Sequence, residues 1–195
     1  MKHSSHDVRR PQAPVSLRPL RAEDSRTLAE LANSRAIWLM VRDIFPHPYT
    51  EKDARAFIEM ASQSETATIY VIDYNGELAG VLGLHPQRDV YRHSMEIGYW
   101  LGERFWKKGI ARAAVELALE IGFRKLGLQR IFACVFSNNA ASMRVLERAG
   151  FTHEGTARAA VIKDGRILDE CRFSILADEW ERRIACRTGA SGGGQ

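Results

Sequence analysis

Between residues 94 and 151 the chain alternates strand, turn and helix in a fixed order that the rest of the fold must accommodate. Met95-Glu96-Ile97-Gly98-Tyr99-Trp100-Leu101 reads as a strand. Arg104-Phe105-Trp106-Lys107-Lys108-Gly109-Ile110-Ala111 leads into a helix predicted over Arg112 to Lys125, and Ile110, Ala114, Leu117 and Ile121 share one of its faces. Gln129 to Phe136 has the length and composition of a buried strand. Asn138-Asn139-Ala140-Ala141-Ser142-Met143-Arg144-Val145-Leu146-Glu147-Arg148-Ala149-Gly150-Phe151 then predicts a helix headed by asparagine and stopped by a left-handed glycine. Gly109 lets the backbone approach a ligand closely. The helix behind it offers unpaired N–H groups and the positive end of its dipole. With Lys107 and Lys108 alongside, this turn suits a pyrophosphate.

The flanking segments complete an α+β pattern. Ser16 to Arg21 reads as a strand, Asp24 as the N-cap of a helix carrying Leu28, Leu31 and Ala32, and Ile37 to Val41 as a short second helix. Pro46-His47-Pro48-Tyr49 breaks the chain before a helix capped by Thr50, for which Asp53 supplies only a partial capping box. Asn75-Gly76 and Asp164-Gly165 mark two hairpins, Thr68–Asp73 with Glu77–His85 and Phe151–Lys163 with Arg166–Ala177. Val90 to Leu101 is the fourth strand, and Asp178 to Ile184 a terminal helix. Residues 1–14 read as a flexible basic arm and 188–195 as a disordered Gly-rich tail.

These motifs resemble the GNAT superfamily of acetyl-CoA-dependent N-acetyltransferases, closest to the branch that acetylates ribosomal-protein N-termini (the RimJ/RimL type). The likeness runs from about Leu17 to about Leu176 and implies an acyl-CoA N-acyltransferase domain over 15–187. It also implies a mixed, mainly antiparallel sheet of about seven strands flanked by helices. By resemblance, the backbones of Trp106, Lys107, Lys108, Gly109, Ile110, Ala111 and Arg112 hold the cofactor's pyrophosphate. The pantetheine arm pairs with Tyr99, Trp100 and Leu101, where a backbone N–H also polarises the thioester carbonyl. Asn139 hydrogen-bonds the arm, and Ser142 lies near the sulfur. Two positions depart from the family's loop. Trp106 stands where many members have Arg or Gln, as is usual in this branch, and Lys107 stands where Gly is common. Many relatives protonate the thiolate with a tyrosine, which is absent between Asn138 and Phe151.

An attacking amine must be neutral, and a peptide α-amine is easier to deprotonate than a lysine. Glu96 is the leading base, acting through water, with His85, His153 and Glu154 as lesser candidates. A salt-bridged carboxylate is the alternative reading of Glu96. Trp38, Arg42, Phe45 and Tyr49 are expected to line an acceptor groove built with the Asp164-Gly165 hairpin, with a core or surface position as the alternative reading of each. Asp43 is the one carboxylate between Ile37 and Tyr49, which favours a peptide N-terminus over a polyamine or aminoglycoside-like amine. Homodimerisation is common in the branch and stays open here.

Composition limits the other classes. Hydrophobic residues make up 45% of the chain, and no apolar run reaches the length of a membrane span. The basic N-terminus lacks an apolar signal core, which argues for the cytoplasm. The net charge is +4. Lys2, Arg9 and Arg10 against Asp7 leave only half of it to residues 15–195, so no direct nucleic-acid partner is expected. Cys134, Cys171 and Cys186 have no metal-ligand spacing, and Cys134 and Cys171 read as core residues. A non-catalytic acyl-CoA-binding regulatory module fits the same motifs.

Overall fold

The computed structural model describes residues 15–63 and 68–189. The expected arm lies outside the described residues, as does the expected tail except for its first two residues, which end the last helix. The elements are β1 (Val15–Pro19), α1 (Ser25–Ala32), α2 (Arg35–Trp38), α3 (Glu51–Gln63), β2 (Thr68–Tyr74), β3 (Glu77–Pro86), β4 (Ser94–Leu101), α4 (Ile110–Glu120), β5 (Arg130–Phe136), α5 (Ala140–Ala149), β6 (Thr152–Lys163), β7 (Arg166–Leu176) and α6 (Ala177–Gly189). The strands form one sheet ordered β1-β2-β3-β4-β5-β7-β6. Every neighbouring pair is antiparallel except β4 and β5. The expected α+β architecture with a mixed, mainly antiparallel sheet is what forms.

The sheet is covered on both faces, which explains why seven consecutive residues of β3 are buried. One core sets Ile72, Leu82, Leu84, Ile97 and Leu101 against α4, α5 and Trp180 of α6. The other sets Val71, Leu78 and Val81 against α1 and α3. Adjacent strand residues thus feed opposite cores, as a period of two requires.

Several boundaries differ from the sequence reading for identifiable reasons. Asp24 does not cap α1 with its side chain. Its carboxylate instead takes two hydrogen bonds from Arg18, at 2.8 and 2.7 Å, and one from the Arg21 N–H at 2.8 Å. The short second helix starts earlier because Ser34 Oγ accepts the Ile37 N–H. Residues 89–91 make a 3-10 turn rather than strand, leaving Val90 and Tyr91 exposed. The predicted helix after Gly109 starts at Ile110 and widens into a π-helical turn over Ile121–Lys125. Thr50 and Asp53 form a complete capping box, with both reciprocal backbone bonds present. Asn75-Gly76 and Asp164-Gly165 take the paired positive φ of tight hairpin turns.

A Cβ at Gly80 on β3 would lie 2.1 Å from the Trp100 carbonyl oxygen of β4. Backbone cannot yield cheaply, so Gly80→Ala is expected to cost about 1–3 kcal/mol, read as a lowered urea midpoint. An unchanged midpoint would show that β3 and β4 are not held this closely.

Candidate active site

The turn before α4 has the conformation that the sequence suggested. Lys107 and Gly109 take φ of 60° and 79°, bracketing Lys108, and α4 begins at the next residue. No side chain caps this helix, and space is open where a Gly109 Cβ would stand. Uncapped N–H groups, two left-handed residues and an unobstructed approach fit a diphosphate. Lys107 is a departure from glycine that nevertheless takes the left-handed path. The Trp106 indole donates to the Leu101 carbonyl at 2.7 Å and so fastens the turn to the end of β4. Lys108 lies over the Phe105 ring, and Arg112 pairs with Glu116 on the next turn of α4.

Beside this turn the sheet opens. β4 and β5 pair only at Ser94↔Arg130, Met95↔Ile131 and Glu96↔Phe132, after which they separate. β4 stays paired with β3 through Leu101, and β5 with β7 through Phe136. Antiparallel pairing alternates which residues point their peptide groups at a given neighbour. The bonds Gln87 N–H to Ser94 O and Gly102 N–H to Ala79 O place the even-numbered residues of β4 toward β3. Tyr99 and Leu101 therefore turn their peptide groups to the gap, while Trp100 turns its own to β3. The Leu101 carbonyl is occupied by Trp106. Of the three expected backbone partners, the gap receives two.

α5 closes one side of the opening. Asn139 Oδ1 accepts the Ser142 N–H at 3.1 Å and caps the helix, leaving the amide NH2 as a donor. Ser142 Oγ lies 2.9 Å from the Tyr99 hydroxyl. Burial pushes the Tyr99 phenol up to about 12, with the Ser142 bond opposing. A tyrosine therefore does stand at Ser142, supplied by β4 rather than by the helix. Its signal was the shared face of Ile97, Tyr99 and Leu101, but only the packing of α5 on that face brings Ser142 to it.

The other face of the sheet gathers the ionisable groups. Glu96 sits on the last rung before the strands part and binds Arg42 at 2.5 Å. His85 is its cross-strand neighbour, with its ring against Gly83 and Gly98. Burial lowers the His85 imidazole; Glu96 opposes this and Arg42 adds to it. Cys134 is half-buried rather than core, with its sulfur 4.0 Å from Arg172, and burial raises its thiol. Cys171 is in the core as expected. Glu154 is a paired carboxylate: two bonds from Arg130 and one from Ser174 hold it down at about 2. His153 packs on Phe173 and bonds Thr156 instead of reaching Glu96. A register shift in β6 opens a cavity of about 410 Å³ bounded by Glu154, Gly155, Glu170 and Arg172, which strand periodicity alone does not signal.

The four expected acceptor residues divide. Arg42 reaches Glu96, whereas Trp38 packs with Arg35, His47 and Lys163. Phe45 and Tyr49 pack with each other and Phe45 with Trp100; Tyr49 is buried in the second core.

Lys107 holds a conformation disfavoured for a residue with a Cβ by about 1 kcal/mol, part of which glycine would return as added freedom of the unfolded chain. Lys107→Gly is expected to raise Tm by about 2 °C. A lowered Tm would mean that the lysine side chain stabilises the turn.

Residues 15–152 match the family model for the acetyltransferase (GNAT) domain. The chain is 33% identical over 175 residues to the Bacillus subtilis protein named "Putative ribosomal N-acetyltransferase YdaF", covering 86% of this chain and 93% of that one. It is 26% identical over 172 residues to the spermidine N(1)-acetyltransferase of Escherichia coli K12, covering 85% and 88%. Its fold superposes on Mycobacterium smegmatis RimJ in complex with CoA-disulfide with a TM-score of 0.80 at 24% identity, over 90% of each chain. The parted strands, the uncapped turn before α4 and the family match agree: the chain belongs to the GNAT acetyltransferases.

Proposed function

We propose that the protein transfers the acetyl group of acetyl-CoA to the α-amine of a peptide or protein N-terminus by direct attack in a ternary complex. The observation that carries the acceptor is the pairing of carboxylates at the entrance. Glu96 is bound to Arg42, Asp43 to Lys163 and Asp164 to Arg35. A polyamine needs carboxylates free to meet its several cations, whereas an N-terminal amine needs only a base. Relatives of both kinds exist, so likeness alone does not choose between them.

Acetyl-CoA supplies the thioester. The 107–112 backbone holds its diphosphate, and the peptide groups of Tyr99 and Leu101 pair with the amides of its arm. The Asn139 NH2 is a further donor to that arm. His85, neutral near pH 7, takes the proton of the attacking amine, and Glu96 balances the imidazolium charge. Ser142 donates a hydrogen bond to the departing sulfur while Tyr99 donates to Ser142. A phenol near 12 is a weaker acid than a thiol near 8.5, so the relay stabilises the thiolate rather than protonating it. The raised Cys134 thiol offers no ready nucleophile for a covalent route.

Release of free CoA thiol with short peptides and with spermidine tests the acceptor. Peptide turnover well above spermidine turnover is expected; the reverse overturns the reading. Ser142→Ala is expected to lower kcat about 10–100-fold, and the double variant with Tyr99→Phe no further, because the hydroxyls act in series. Multiplying losses would contradict the relay. The lowered His85 pKa keeps the imidazole unprotonated below its ordinary range. kcat should therefore hold through the range in which an ordinary imidazole protonates and decline only at more acidic pH, and His85→Gln should abolish that limb with about a 100-fold loss. Persistence of the limb in the variant would assign the proton elsewhere.

A further inference from the structure

Lys163 ends β6 at the tip of the β6–β7 hairpin and is only 2% exposed. Its Nζ donates to Asp43 Oδ1 at 2.6 Å and stands 3.8 Å from the centre of the Trp38 ring. The next residue, Asp164, binds Arg35 at 2.6 Å, and Arg35 also lies over Trp38, which stacks on His47. Two consecutive residues of the hairpin tip thus grip α2 and the segment that follows it, 120 and 129 positions away in sequence.

The grip has a direction. Arg42 and Asp43 are neighbours in an irregular stretch of chain. Arg42 reaches inward to Glu96 at the parting of β4 and β5, while Asp43 is tied outward to Lys163. Fixing Asp43 fixes where Arg42 starts, and hence where Glu96 and its neighbour His85 meet a substrate. The tight turn at Asp164-Gly165 sets the register that aims Lys163 at Trp38; one residue earlier, Ile162 points to solvent. A buried ammonium is costly unless paired and covered. The indole and the carboxylate meet both needs here.

We propose that Lys163 is a positioning residue for the acceptor, holding the 35–49 segment so that Arg42 and Glu96 form the wall against which the incoming peptide N-terminus docks; this rests on the acetyl-transfer reading above. Lys163 and Asp164 meet Asp43, Trp38 and Arg35, while the segment they hold reaches toward the donor side through the Ser34 hydroxyl, which donates to Glu103 at 2.6 Å, and through Phe45 on Trp100.

Lys163→Met retains the bulk and leaves Asp43, whose side chain is 70% exposed, in water, so the fold should survive. The acceptor peptide's KM is expected to rise at least tenfold, with the KM for acetyl-CoA within twofold of wild type, and Lys163→Arg is expected to restore most of the loss. An acceptor KM within twofold of wild type, or an equal rise in both KM values, overturns the proposal. Amide hydrogen exchange judges the clamp without turnover. Exchange over 39–45 should accelerate in Lys163→Met while that over 107–120 stays unchanged. Unchanged exchange over 39–45 overturns the clamp, whereas a wild type that turns over no amine yet shows this acceleration defeats the functional reading alone.

Discussion

β4 pairs in parallel with β5 for three residues and then parts from it, while each strand stays paired with its antiparallel neighbour on the far side. The sheet is in effect two antiparallel halves joined by a short parallel seam. Past the seam, β4 carries peptide groups that another backbone-like molecule can meet. The Trp106 indole bonds the end of that strand to the turn that begins α4, and with the buried Phe105 it helps register the open edge to the uncapped helix N-terminus. α5 then lays Asn139 and Ser142 along the same opening. The donor side follows from the place where the seam ends.

The proposed acceptor side is organised by charge instead. Each carboxylate around the entrance that the sequence or the structure singles out has a basic partner from a different part of the chain: Glu96 with Arg42, Asp43 with Lys163, Asp164 with Arg35. These pairs differ in burial: Arg35–Asp164 is exposed on both sides, the kind that adds little stability singly, whereas Lys163 and Glu96 are largely buried. Their value here is geometric, since they fix an irregular segment that has almost no regular secondary structure of its own. His85 lies in the same arrangement: burial lowers its imidazole, Glu96 opposes this and Arg42 adds to it.

The donor side was legible in the sequence because its parts are local. Gly109 before an amphipathic helix, an asparagine cap and a Gly150 stop each declare themselves within a few residues. Peptide-group direction was less accessible: Trp100 looks equivalent to its neighbours until the β3–β4 register shows which side it serves. Tyr99 at Ser142 and Lys163 on Trp38 were not legible, since both contacts join residues far apart in sequence. Tyr49 illustrates the opposite case. An aromatic residue beside an expected groove reads as lining, and tertiary packing uses it as core, with Phe45 half-buried against it. Glu154 and His153 are engaged by partners that strand periodicity cannot predict.

The donor is expected to bind where β4 and β5 part. Residue-resolved amide NMR shifts during titration with CoA address this directly. Large shifts are expected at Tyr99 and Leu101, across 107–112 and at 139–142, with little change around the separate cavity of about 400 Å³ between α4 and α6 that Val15, Trp180 and Arg187 help to line. Shifts concentrated around that second cavity, with Tyr99 and the 107–112 turn unmoved, would contradict it.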